Sequence, residues 1–165
     1  MSGKVIQSLR NSPLSTFLSE AELRMLAGCG RIHEFIPDQN ILSADGRDER
    51  LFLLREGQVD LNVIINTDSG DCDGEAHIEL SLPGELFGWA AWMRPERVGV
   101  SARTLGNVSV AIFDLERLGG SEIFIKLSIR LLQLLYARLQ EYGLCPPNVQ
   151  MLLKMKHLLQ GKENS

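Results

Sequence analysis

The sequence predicts a mainly β fold, an antiparallel β-roll or jelly roll, with an N-terminal helix and a long C-terminal helix. Two observations carry this. From about residue 31 to residue 115, short apolar runs follow one another at close spacing and end in turn residues such as "PDQN", "ADG" and Gly106-Asn107. That is the pattern of a sandwich or barrel. From Ser121 to Tyr142 the texture changes to "SEIFIKLSIRLLQLLYARLQEY", which has no Gly or Pro and repeats apolar residues every three or four positions, as a helix does.

The elements follow in order. "SEAELRMLAGC" is a helix with Ser19 as its N-cap, Glu22 three residues later as in a capping box, and an apolar face of Leu23, Leu26 and Ala27. "RIHEFI" alternates and stops at "PDQN", and "ILSADG" ends in Asp-Gly. "LFLLREGQVDLNVII" holds two strands joined at "REGQ", with Val59, Leu61 and Val63 alternating. "NTDSGDCDGE" is a polar loop, "AHIELSL" a further strand, and "VSARTL" and "VSVAIFD" close the β region.

In the long helix Ile125, Ile129, Leu132, Tyr136 and Leu139 form a stripe, which Leu127, Leu131, Leu134 and Leu135 widen. The widened face exceeds what one small barrel covers, so a second surface is expected, most simply the same helix of another copy. Gly143 and Pro146-Pro147 end the helix. "NVQMLLKMKHLLQ" is a short basic amphipathic helix that docks on its own domain or on a partner, and "GKENS" is a tail. The expected organisation is one domain over 13–142 and an appendage over 143–165.

Bulk properties narrow the function. A chain of 165 residues that is 44% apolar buries a real core in one domain. The formal charge of −4 and the lack of a basic stripe argue against direct binding of nucleic acid. No run of about 18 apolar residues spans a membrane, and "MSGKVIQSLRNSP" lacks the apolar centre of a signal peptide. Three scattered cysteines, Cys29, Cys72 and Cys145, fit a reducing cytoplasm.

The four stretches "PLSTFLSEAELRMLA", "FIPDQNILSADGRDERLFLLREGQVDLNV", "LPGELFGWAAW" and "SARTLGNVSVAIFDLERL", in this order, resemble the cyclic-nucleotide-binding domain. This is the sensor module of the catabolite activator protein, of cyclic-nucleotide-dependent kinases and of gated channels. Gly46 and Gly57 fall at its turn positions, and the resemblance covers Pro13 to Tyr142. It implies a phosphate-binding cassette in which a short helix after a Phe-Gly pair offers backbone N–H groups to the cyclic phosphate. Phe87, Gly88, Trp89, Ala90 and Ala91 match that stretch.

Two of the side chains that the resemblance calls for are replaced. The residue after the glycine is a carboxylate in the family and accepts from the ribose. Here it is Trp89, whose indole only donates. The phosphate-pairing arginine aligns with Val98, and Arg97 stands one residue away. In a strand that shift turns a side chain to the other face, although a bulge eased by Gly99 would bring Arg97 back. Ser101 is a further candidate hydroxyl. The lost contacts amount to about 4–8 kcal/mol, roughly three to six decades of affinity.

The expectation is a non-catalytic regulatory module, without cofactor, that does not bind cyclic AMP or cyclic GMP in the usual mode. It acts through a homodimer or a protein partner. One alternative is a working sensor with Arg97 rearranged into the phosphate site. Another is a cupin-like metalloenzyme, but His33, His77 and His157 share no ligand spacing. "DSGDCDG" does not complete a calcium loop, because the final glutamate position is Leu80. Trp89 and Trp92 share a helical face and either pack inward or anchor a partner. The family's transcription regulators carry a helix-turn-helix domain after the long helix, and Gly143–Ser165 are too few for one.

Overall fold

The computed structural model describes residues 2–16, 18–42, 50–65, 74–88, 98–118 and 122–141. It opens with a helix, α1 (Ser2–Arg10), a 3-10 turn (Pro13–Thr16) and a second helix, α2 (Glu20–Ala27). The Ser19 hydroxyl accepts from the Glu22 N–H at 3.2 Å, as the capping pattern requires. Leu23, Leu26 and Ala27 are buried. α1 was not anticipated. It buries Val5 and Leu9, one turn apart, in the same core as the rest of the chain. The packed unit therefore begins ahead of the boundary expected at Pro13.

Eight strands follow: β1 (Gly30–Phe35), β2 (Asn40–Leu42), β3 (Arg50–Glu56), β4 (Val59–Ile65), β5 (Gly74–Leu80), β6 (Leu86–Phe87), β7 (Val98–Thr104) and β8 (Val108–Asp114). They form two four-stranded sheets, in the orders β1-β8-β3-β6 and β2-β7-β4-β5, and every pairing is antiparallel. The chain changes sheet at every strand connection except β4 to β5, and two of these crossings are β3 to β4 and β7 to β8. These two are tied together by the Leu105 N–H, which donates to the Gln58 carbonyl at 3.0 Å.

The burial patterns show what covers each sheet. β5 alternates, with Ala76, Ile78 and Leu80 buried and Glu75, His77 and Glu79 outside, so one face of its sheet is wet. Leu51 to Leu54 of β3 and Val108 to Phe113 of β8 are buried without a break. α1 packs on β1 and β3, which gives that sheet cover on its second face.

After a 3-10 turn at Leu115–Leu118 comes the long helix α3 (Glu122–Glu141). Ile123 and Leu127 join the core. The Lys126 ammonium meets the Glu22 carboxylate at 3.2 Å and links α3 to α2. Two residues of the expected partner stripe already have cover within the single chain. Ile129 is only 8% exposed in the single chain, so it has little area to give to a second copy, and Ile125 is half-buried. The first half of α3 lies against its own domain, and this burial covers more of the helix than the periodicity implied. The side chains of Leu132, Tyr136 and Leu139 lie outside the described residues. Among the described residues no helix is long and apolar enough to cross a membrane.

Candidate functional site

The site predicted from sequence begins at β6, and the structure shows how β6 is held. The Glu85 carboxylate accepts from the Ser81 and Leu82 N–H groups, both at 2.9 Å. The Gly84 N–H donates to the Leu54 carbonyl, and the Leu54 N–H donates to the Glu85 carbonyl, each at 2.8 Å. β6 then adds to the edge of β3, with Leu86 opposite Leu53 and Phe87 opposite Phe52. The sequence pattern does not reveal this two-residue strand, because two residues show no period.

The Phe87 side chain is 2% exposed and stacks on Phe52. Its ring belongs to the core, and only its backbone reaches the cassette. The Arg50 guanidinium lies 5.2 Å from the centre of the Phe52 ring. Gly88 follows with φ of 94°. A Cβ there would fall 2.3 Å from Cδ2 of Phe52 and 3.0 Å from the Arg50 carbonyl oxygen. Both the backbone conformation and the space admit glycine alone. Trp89, Ala90, Ala91, Trp92 and Arg97 lie outside the described residues, as do Asp71, Cys72 and Asp73 of the polar loop.

On the far side of the cassette β7 starts at Val98. Val98 pairs with Ile65, Gly99 with Ile64 and Ser101 with Asn62. Val100, Ala102 and Thr104 point into the roll and are buried. Ser101 falls on the alternate face and is half-buried. With a period of two, its hydroxyl does not share the inward face of Val100 and Ala102.

One polar residue was overlooked. Thr104 is fully buried on the inward face. Its hydroxyl donates to the Ile36 carbonyl at 2.7 Å and accepts from the Gln39 N–H at 2.8 Å. Its backbone N–H donates to the Gln39 carbonyl at 2.9 Å, and its carbonyl accepts from the Asp38 N–H at 3.2 Å. It thus fixes the turn before β2, where Asp38 has φ of 60°. A hydroxyl at the third place of the inward series Val100, Ala102, Thr104 is the signal the sequence offers for it.

Among the described residues no group of three or more His, Cys, Asp or Glu could hold a metal. His77 lies on the outer face, with Nδ1 3.2 Å from Asp60 and Nε2 3.7 Å from Glu75. His33 packs edge-on against Phe35, centroids 4.5 Å apart. Cys29 is half-buried, and its Sγ donates to the Met25 carbonyl at 3.7 Å. Burial pushes its thiol up against the opposing pull of Arg117, and Asp114 adds to the rise. Such a group stays protonated and is a poor nucleophile.

No protein-family model matches the sequence. No curated sequence matches it either. Solved structures do. The regulatory domain of Toxoplasma gondii protein kinase A with cyclic AMP is 15% identical, with a TM-score of 0.62, over 80% of this chain and 50% of that one. The regulatory subunit of a cAMP-independent protein kinase A from Trypanosoma brucei is 24% identical, with a TM-score of 0.58, over 80% and 47%. The corresponding subunit from Trypanosoma cruzi, bound to guanosine, is 22% identical, with a TM-score of 0.59, over 89% and 53%. The chain thus has the fold of the cyclic-nucleotide-binding domain, and it spans about half the length of these regulatory chains.

Proposed function

We propose that this chain is a non-catalytic regulatory module that does not take cyclic AMP or cyclic GMP in the usual mode and signals through a second copy or a protein partner. The observation that carries the reading is Gly88. A glycine lodged against Phe52 at the head of the cassette supports the frame that the sequence resemblance implies, in which Trp89 stands where the family has its ribose-binding carboxylate. Two of the similar structures are named cAMP-independent, and one of these is bound to guanosine. Guanosine has no phosphate and so needs no phosphate-pairing arginine. A neutral ligand needs no such partner, but the ribose of a nucleoside loses its carboxylate acceptor where Trp89 stands.

Calorimetric titration with cyclic AMP, cyclic GMP and guanosine tests this. Silence for both cyclic nucleotides up to millimolar concentration is expected. Micromolar binding of either one that Arg97→Ala abolishes would overturn the reading in favour of a rearranged sensor. The proposed homodimer uses the second half of α3, and light scattering on the double variant Leu132→Glu/Leu139→Glu tests it. A parent chain that is already monomeric at high concentration would leave a protein partner as the route for the signal.

A further inference from the structure

A cavity lies away from the cassette. It occupies about 260 Å³ between α1, the end of β3 and the Pro83-Gly84 turn, and is partly open to solvent. None of the cassette candidates from Phe87 to Ser101 lines it. We propose that it is a binding site for a small hydroxylated phosphate monoester.

Arg55, the penultimate residue of β3, carries the argument. It is half-buried. Its Nε donates to the Ser8 hydroxyl of α1 at 3.1 Å, and its Nη1 donates to the Ser109 hydroxyl of β8 at 2.8 Å. The Ser8 hydroxyl in turn donates its own proton to the Lys4 carbonyl at 2.9 Å, which leaves its oxygen free to accept from Arg55. The guanidinium is thus clamped from two sides by neutral groups, and among the described residues no carboxylate pairs with it. A guanidinium has five N–H donors in a planar fork, so most of its capacity for an anion remains. Because the fork is already fixed, little is lost in ordering it when a ligand arrives.

The rest of the lining agrees. Lys4 and Ser8 lie four apart on one face of α1, Gln7 flanks them, and Asn11 follows just past the end of the helix. This wall brings an ammonium and two carboxamides to the cavity, all capable of donating to phosphate oxygens. The opposite wall is preformed. Gly84 has φ of 97°, and a Cβ on it would fall 3.0 Å from the Asn11 carbonyl oxygen, so the turn is seated directly on the end of α1. The one acid in the lining is Glu56. With two cations and a single carboxylate the cavity favours an anion, and the carboxylate suits a ligand hydroxyl as its acceptor. The volume lies under the range of drug-sized pockets, about 300–1,000 Å³, which limits the ligand to a short chain or a single sugar ring.

The test is an amide NMR titration of the full chain with two probes, inorganic phosphate and glycerol 3-phosphate. Saturable shifts are expected at Lys4, Gln7, Ser8, Asn11 and Gly84 and not at Val98 to Ser101, with the glycerol ester binding several-fold tighter than phosphate. Lys4 is exposed, so Lys4→Glu keeps the fold and should weaken binding roughly tenfold. Arg55→Gln should weaken it roughly ten- to a hundredfold. Arg55→Lys, which keeps the charge and loses the fork, should fall between. Unsaturable shifts at tens of millimolar of both probes, shifts centred on the cassette strands, or binding unchanged in Lys4→Glu would each overturn the proposal.

Discussion

The ring of Phe87 lies stacked on the ring of Phe52, with centroids 5.1 Å apart and planes within 14° of parallel. One partner stands at the head of the cassette and the other in the middle of a central strand. Such a pair adds about 0.5–1.5 kcal/mol beyond the area it buries. It joins the candidate site to the core with no ligand present. Phe87→Ala should therefore cost about 3–5 kcal/mol in denaturant unfolding, and Phe87→Leu distinctly less. A loss below about 1 kcal/mol for the alanine variant would show that the ring is not an anchor.

The neighbouring glycine gives a sharper contrast. Gly88→Ala combines a positive φ with a methyl group driven into Phe52, and about 2–5 kcal/mol should be lost. A methyl group on Gly106 would meet nothing within 4 Å, so Gly106→Ala should stay within about 1 kcal/mol of the parent. Equal effects at the two glycines would contradict the tight seat at Gly88.

Thr104→Val keeps the shape and removes the hydroxyl that serves the Ile36 carbonyl and the Gln39 N–H. The expected loss is about 1–3 kcal/mol, accompanied by faster amide exchange at Gln39. Thr104→Ser keeps both hydrogen bonds and should retain slow exchange there. Loss of protection in both variants would point to the methyl group instead.

The pH dependence of the N-terminal helices has a definite sign. The Arg10 guanidinium, hydrogen-bonded to Glu20, holds that carboxyl below the usual carboxylate range. A group depressed in the folded state stabilises above its unfolded pKa, about 4.3 for glutamate, and the contribution is lost as pH falls through the folded value. Amide exchange of α1 should therefore accelerate, relative to β8, as pH drops from about 5 to about 3. Glu20→Gln should remove this dependence. Identical profiles for parent and variant would exclude the pair as its source.

Much of this architecture was legible because its signals are local. Ser19 and Glu22 announce their helix three residues apart, and Val59, Leu61 and Val63 alternate as a half-buried strand must. The parts that were not legible depend on what lies across from a residue. α1 buries two side chains only, too few for a periodic signal. The position of Ile129 could not be read from its spacing, which fits a partner face and an internal face equally well. Ser101 looked suitable by chemistry, but its side is set by the register against Asn62. The clamp on Arg55 joins three elements that are far apart in sequence, and no motif marks it.

The alternation of strands between sheets also governs how the chain can fold. Among the described residues β1 has β8 as its sole neighbour, and the pairing runs from Gly30 with Phe113 to Phe35 with Val108. Nearly the whole roll must therefore be synthesised before its first strand can find a partner. Each sheet also takes strands from both halves of the chain, so neither can close early as an independent nucleus. Topologies dominated by such distant pairings fold in milliseconds to seconds. During synthesis the exposed edges of β1 and β3 wait for β8, and that interval is when this protein is most open to misassociation.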